Sequence, residues 1–142
     1  MSEHYKKLER MYLAGPINDL FKPTIVVGDR TSEISIEVNP QFFHAANALH
    51  GSVYFKMLDD AAFFAANSIV EDVFVLTGHF EIKLLRPVTG GELIATGRVT
   101  NEGEKIEASA ELKNDQGKLV AVGKGLFVRS KLALNELESY KN

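Results

Sequence analysis

The chain has 142 residues, 45% hydrophobic and 25% charged, and its 16 basic and 19 acidic residues leave a formal net charge of −3. That is the size and make-up of one globular domain able to bury a core without disulfides or a structural metal, and it excludes a fibrous or disordered chain. The lack of cysteine removes thiol nucleophiles, cysteine zinc sites and iron-sulfur clusters, and the weak acidity argues against a general nucleic-acid binder.

Met1 to Leu20 carries charges every few residues and lacks the apolar core of a secretory signal. No apolar run approaches the ~20 residues needed to cross a bilayer. A cytoplasmic protein without membrane or nucleic-acid partners is expected. Residues 1–22 read as a helical leader: Ser2 can cap a helix with Tyr5, Leu8, Met11 and Tyr12 on one face, stopped by Gly15-Pro16. Thr24 to Val27 and Glu33 to Val38 are β-branched, with Ile34, Ile36 and Val38 alternating against Ser35 and Glu37, and predict two strands. Asn39-Pro40 opens a loop through Phe42, Phe43, His44 and Asn47 to His50-Gly51.

Val53 to Val70 predicts the one long helix, apolar nearly all round and therefore buried. Strands follow over Val73 to Arg86, Glu92 to Thr100, Lys105 to Lys113 and Lys118 to Val128. The joins at Pro87 to Gly91, Asn101 to Gly103 and Asp115 to Gly117 read as hairpins, giving a four-strand meander. Ile106, Ala108, Ala110 and Leu112 alternate with charged or polar neighbours, so one face of that strand meets solvent. The polar tail from Lys131 to Asn142 predicts a loose terminal helix, and the main domain spans residues 23–130. The class is α+β, with an antiparallel sheet wrapped around one central helix. Its free sheet edges predict a homo-oligomer.

Asp59 and Asp60 are adjacent on the buried helix, where carboxylates are rare unless paired or functional. Lys56 is within reach of both. On one reading it pairs with the outward Asp and both acids are structural; on the other, Asp59, flanked by Phe55, Phe63, Ala62 and Ala66, is a desolvated base or nucleophile. Gly51 stands at the helix start, where unpaired N–H groups carry partial positive charge and a missing side chain admits a ligand atom. Gly51 and Asp59 are eight residues apart, about 12 Å at ~1.5 Å per residue, too far to act on one carbonyl from one chain. Acting together, they must come from different subunits. The histidines at positions 4, 44, 50 and 79 lack the spacing of a metal site, and no metal or cofactor is expected.

Asn47-Ala-Leu-His50-Gly51-Ser52, with Asp59 nine positions after His50, resembles the His-Gly-Gly…Asp/Glu signature of hotdog-fold acyl-CoA thioesterases, particularly the PaaI-like, phenylacetate-type branch. Leu84-Leu85-Arg86-Pro87 and the glycine-rich turn after it extend the resemblance over residues 24 to 129. It implies that Asp59 attacks the thioester or activates a water, that the Gly51 amide donates to the carbonyl oxygen, and that Thr77 orients the water. His44 and Asn47 both stand as a second polar group near that carbonyl, and Ser52 replaces the second glycine. His50, Ser52, Phe55, Phe63 and Arg86 are expected around the substrate, with Arg86, Lys83 or Lys124 toward the CoA phosphates. Covalent and water-attack routes both need the ionised carboxylate. A homodimer or a homotetramer, with an acyl-CoA substrate, is implied; a non-catalytic acyl-CoA or lipid-binding protein is the alternative for the same fold.

Overall fold

The computed structural model describes residues 2–141. The chain forms α1 (Ser2–Ala14), α2 (Asn18–Phe21), β1 (Thr24–Gly28), β2 (Thr31–Glu37), α3 (Gly51–Asn67), β3 (Val73–Leu84), β4 (Glu92–Glu102), β5 (Ile106–Asn114), β6 (Leu119–Ala133) and α4 (Glu138–Lys141). A short 3-10 turn, Pro40–Phe42, breaks the loop before α3. The cap expected at Ser2 involves a side chain outside the described residues.

The six strands make one antiparallel sheet in the order β1-β2-β4-β5-β6-β3. The expected meander is thus corrected at one join. β3 pairs with β6, and β4 pairs with β2, so Pro87 to Gly91 belongs to a crossover rather than a hairpin. Turn chemistry is the same in both cases; what differs is where the chain is held. Leu49 N–H donates to the Val88 carbonyl, Tyr54 Oη donates to the Arg86 carbonyl at 2.7 Å, and Val38 N–H donates to the Gly91 carbonyl, tying the crossover to the start of α3 and to the end of β2.

α3 lies across one face of the sheet and touches every strand. Met57, Leu58, Ala61, Ala62 and Ala65 on it are fully buried. Inward residues of the strands meet them: Ile34 and Ile36 on β2, Leu93 and Ala95 on β4, Ile106, Ala108 and Leu112 on β5, and Phe127 on β6. The alternation expected of β5 is present, with Glu111 and Lys113 exposed. Truncating a side chain such as Leu58 to alanine is expected to cost about 2–5 kcal/mol, because its methyl groups leave a cavity. Helix and sheet approach closely at Gly97 of β4, where a Cβ would overlap the Ala61 carbonyl and lie 2.8 Å from the Ala62 nitrogen.

Both ends of the chain pack on this core. Leu8, Met11 and Tyr12 of α1 are buried, and Glu9 Oε2 accepts from the Val27 amide at 2.9 Å, covering part of the β1 edge with a carboxylate. The tail is anchored where a loose helix was expected. Tyr140 is buried, its hydroxyl is 2.7 Å from His4 Nδ1, and His4 Nε2 donates to the Asn67 carbonyl at 2.8 Å. Among the described residues no helix is long and apolar enough to cross a membrane.

Candidate active site

α3 starts where the extended backbone of His50 turns helical, and the His50 ring serves as its cap: Nδ1 accepts from the Ser52 amide at 3.0 Å. A histidine cap is outside the usual Ser, Thr, Asp and Asn set, so sequence reasoning placed His50 with the substrate and missed this role. The Val53 amide donates to the His50 carbonyl, whereas the Gly51 amide has no protein acceptor among the described residues. No acidic residue sits in the first turn to offset the positive helix end. The nearest atom to a Cβ built at Gly51 is Leu84 Cδ1 at 3.9 Å, so there is room beside that amide. It opens into a cleft of about 340 Å³ that His44, Leu84 and Arg86 also line.

Two turns further on, the two acids diverge. Lys56 Nζ donates to Asp60 Oδ2 at 2.6 Å, and Tyr12 Oη donates to the same oxygen at 2.7 Å. Lys56 also donates to Asn18 Oδ1 at 2.9 Å and lies 5.0 Å from the ring centres of Tyr12 and Phe21. Burial and the Asp60 charge push the Tyr12 hydroxyl well above the usual tyrosine range, so it stays a donor. The structural pairing therefore takes Asp60 and leaves Asp59.

Asp59 faces β3, where Thr77 Oγ1 donates to its Oδ1 at 2.9 Å. Burial pushes its carboxyl up to about 6; the Thr77 hydrogen bond opposes the rise, the Asp60 charge adds to it and Lys56 opposes it. A carboxylate poised there is mostly ionised at neutral pH yet a better proton acceptor than an ordinary one. Asp59 lies in a cleft of about 490 Å³ shared with Thr77, Phe63, Phe74 and Leu76. Phe63 sits in an aromatic cluster with Phe64, Phe74 and Phe127.

The expected site residues thus fall into separate places. Asp59, Thr77 and Phe63 share one cleft; Gly51, His44 and Arg86 share another. Asn47 is exposed at the loop tip with φ 64°, its amide donating to the His44 carbonyl, and it lines neither cleft. His44 Nδ1 accepts from the Ala46 amide. His50 and Ser52 border a third cleft beside Phe43. Phe55, 39% exposed, meets the ring of Phe80 edge-on at 5.4 Å. Lys83 and Lys124 are exposed on β3 and β6. Sequence reasoning did not place Tyr12 and Asn18 beside the acid; the helical stripe that marked Tyr12 as inward-facing carried no sign of what it would meet.

A single long helix packed on a six-strand antiparallel sheet in this order, with an acid on the helix and a free amide at its start, defines a hotdog-fold protein of the thioesterase class. Residues 46–121, more than half of the chain, match the family model of the thioesterase superfamily, and the chain belongs to that superfamily. A candidate esterase of Archaeoglobus fulgidus is 30% identical over 100 residues, which span 69% of this chain and 64% of that protein's length. Of solved structures, PaaI from the Escherichia coli phenylacetic acid degradation operon superposes with TM-score 0.84 at 23% identity, covering 93% of this chain and 96% of that one. A conserved Pseudomonas aeruginosa protein superposes with TM-score 0.78 at 25% identity, covering 86% of this chain and 98% of that one.

Proposed function

We propose that this protein is a cytoplasmic acyl-CoA thioesterase whose active site is shared between two copies of the chain. The observation that carries the reading is Asp59 itself: a half-buried carboxylate in an apolar cleft, held through one oxygen by Thr77 and raised to about 6. Membership of the thioesterase superfamily supports the reaction class.

In this reading Asp59 Oδ2 takes a proton from a water, and the water oxygen attacks the thioester carbonyl. The oxyanion that forms accepts from the Gly51 amide of a second copy, and the tetrahedral species collapses with expulsion of CoA as thiolate, which takes up the proton. Two features support the shared site. The acid and the free amide line different clefts of one chain, and β3 is a sheet edge bearing Leu76 and Thr77, both exposed. Pairing of two such edges would bring a second copy against the acid's side of the molecule. A thioester is an activated acyl group, so positioning, one base and amide donors supply enough rate acceleration.

The test is release of free CoA from a panel of acyl-CoAs, followed with a thiol-reactive dye. Turnover that is lost in Asp59→Asn supports the proposal. Tight acyl-CoA binding with no release would replace it with the reading of a non-catalytic binding protein.

A further inference from the structure

The cleft around Asp59 has one wall that the hydrolytic chemistry leaves unused. Its floor is α3 and one rim is β3, but the other rim is the end of α1 and the turn into α2, through Met11, Gly15 and Ile17. Ile17 is 58% exposed. It stands on the rim away from the β3 edge assigned above to a second copy, and a large apolar side chain open to solvent on the same cleft as the acid offers a surface that an apolar ligand group would cover.

This rim is held firmly to the helix. Tyr12 donates to Asp60, Lys56 donates to both Asp60 and Asn18, and Asn18 Nδ2 donates to the Tyr12 carbonyl at 2.8 Å. Asn18 is buried, as are Met11 and Tyr12. These four polar residues satisfy one another, so their charges are spent on fixing the hairpin. What remains open on the cleft is Asp59 and an apolar lining. Because Thr77 holds the acid from the β3 side, a thioester whose carbonyl meets Asp59 has the leader rim available for its acyl portion.

We propose that the α1–α2 hairpin, with Ile17 as its exposed wall and Met11 and Gly15 beside it, limits the apolar acyl group of the substrate and so sets which chain lengths are hydrolysed. This rests on the thioesterase reading above. The substrate class it implies is acyl-CoAs with an apolar acyl group short enough to end against Ile17.

The test compares Ile17→Trp with Leu13→Trp. Ile17 has ordinary helical dihedrals (φ −59°, ψ −29°) and an exposed side chain, so tryptophan there adds bulk without entering the core. Leu13 is a matched control: it is 47% exposed on α1 and outside the cleft. Across straight-chain substrates from acetyl-CoA to palmitoyl-CoA, Ile17→Trp should lower the kcat/KM ratio of the longest to the shortest accepted chain by about tenfold or more. Leu13→Trp should leave the ratio unchanged. An equal effect on all chain lengths, the same shift in both variants, or a change of oligomer mass by light scattering in Ile17→Trp would overturn the proposal, the last by making the rim a subunit contact. If the wild-type protein releases CoA from no substrate, the thioesterase reading fails by itself. Binding of the fluorescent fatty acid cis-parinaric acid then decides the wall: weakening by Ile17→Trp alone supports it, and equal binding by all three proteins overturns it.

Discussion

Thr77 and Asp59, eighteen positions apart in sequence, meet across the gap between β3 and α3, with the threonine hydroxyl donating to one carboxylate oxygen at 2.9 Å. The bond engages one oxygen of an acid that lines the cleft, and it works against the burial that raises the acid. The chemistry proposed for the site depends on that balance.

Replacing Asp59 by asparagine keeps the shape of the side chain and removes the base. The expected loss in kcat is about a hundredfold or more, with little change in KM. In the unsubstituted protein, kcat/KM should rise with pH through an apparent value near 6 as the carboxyl of the free enzyme ionises. A flat profile between pH 5 and 8 in a steady-state assay would remove Asp59 from the base role.

The same acid carries a stability cost. Its folded value, about 6, lies above the ordinary 3.8, so the folded protein keeps a proton that the unfolded chain has released. The contribution from this group is fully present below pH ~3.8 and is lost as pH rises through ~6. Asp59→Asn, which never ionises, should match the parent below pH ~3.8 and exceed it by about 1–2 kcal/mol above pH 6, a figure reduced for partial solvent screening. Urea titrations at fixed protein concentration at the two pH values check this.

Thr77→Val is nearly isosteric and lies at an exposed position, so stability should change by less than about 0.5 kcal/mol. With its hydrogen bond gone, the Asp59 carboxyl rises further and the acid limb of the rate profile moves to higher pH, by up to about one unit. Thr77→Ser should restore the limb. Identical profiles for valine and threonine would show the bond to be incidental.

A shared site has a consequence in mixtures. Gly51→Pro removes the free amide at the first helical position, where proline is tolerated, and the extended His50 before it (ψ 142°) suits a following proline. Gly51→Pro and Asp59→Asn should each be inactive alone. Coexpressed as random dimers, they should regain about a quarter of the parental activity, because half the dimers are mixed and each of those holds one intact site. Activity that stays at the level of the separate variants would mean that each site is built by one chain.

The fold makes its own prediction at Gly97. An alanine there forces its Cβ into the Ala61 carbonyl, so helix and sheet must separate. A loss of about 3 kcal/mol is expected in chemical denaturation, whereas Gly90→Ala, with nothing within 4 Å of the added atom, should be nearly silent.

Much of this was legible in the residues. Apolar character on all sides marks α3 as buried, and period-two alternation marks which residues of β2 and β5 face it; both patterns arise from local backbone geometry, which the chain carries with it. The acid also stands out, because phenylalanines and alanines around an Asp on such a helix take away part of the water that keeps a carboxylate ordinary. The competing claim of Asp60 could not be settled the same way. Lys56 is four residues from Asp60 and three from Asp59, and both spacings permit a pair. Only Tyr12 and Asn18, arriving from the leader, hold the ammonium on Asp60.

Sequence alone determined the main strands, the buried helix and the pair of acids on it, since each depends on residues within a few turns or one strand. Tertiary structure decided the strand order, with β3 beside β6 and the Pro87 to Gly91 segment crossing over, and it decided that Gly51 and Asp59 open into different clefts. Alternation tells a strand which face is inward but not which neighbour it takes, and a leader helix shows an apolar stripe without showing what lies beneath it. Those choices come from distant surfaces fitting together, and no local pattern encodes them.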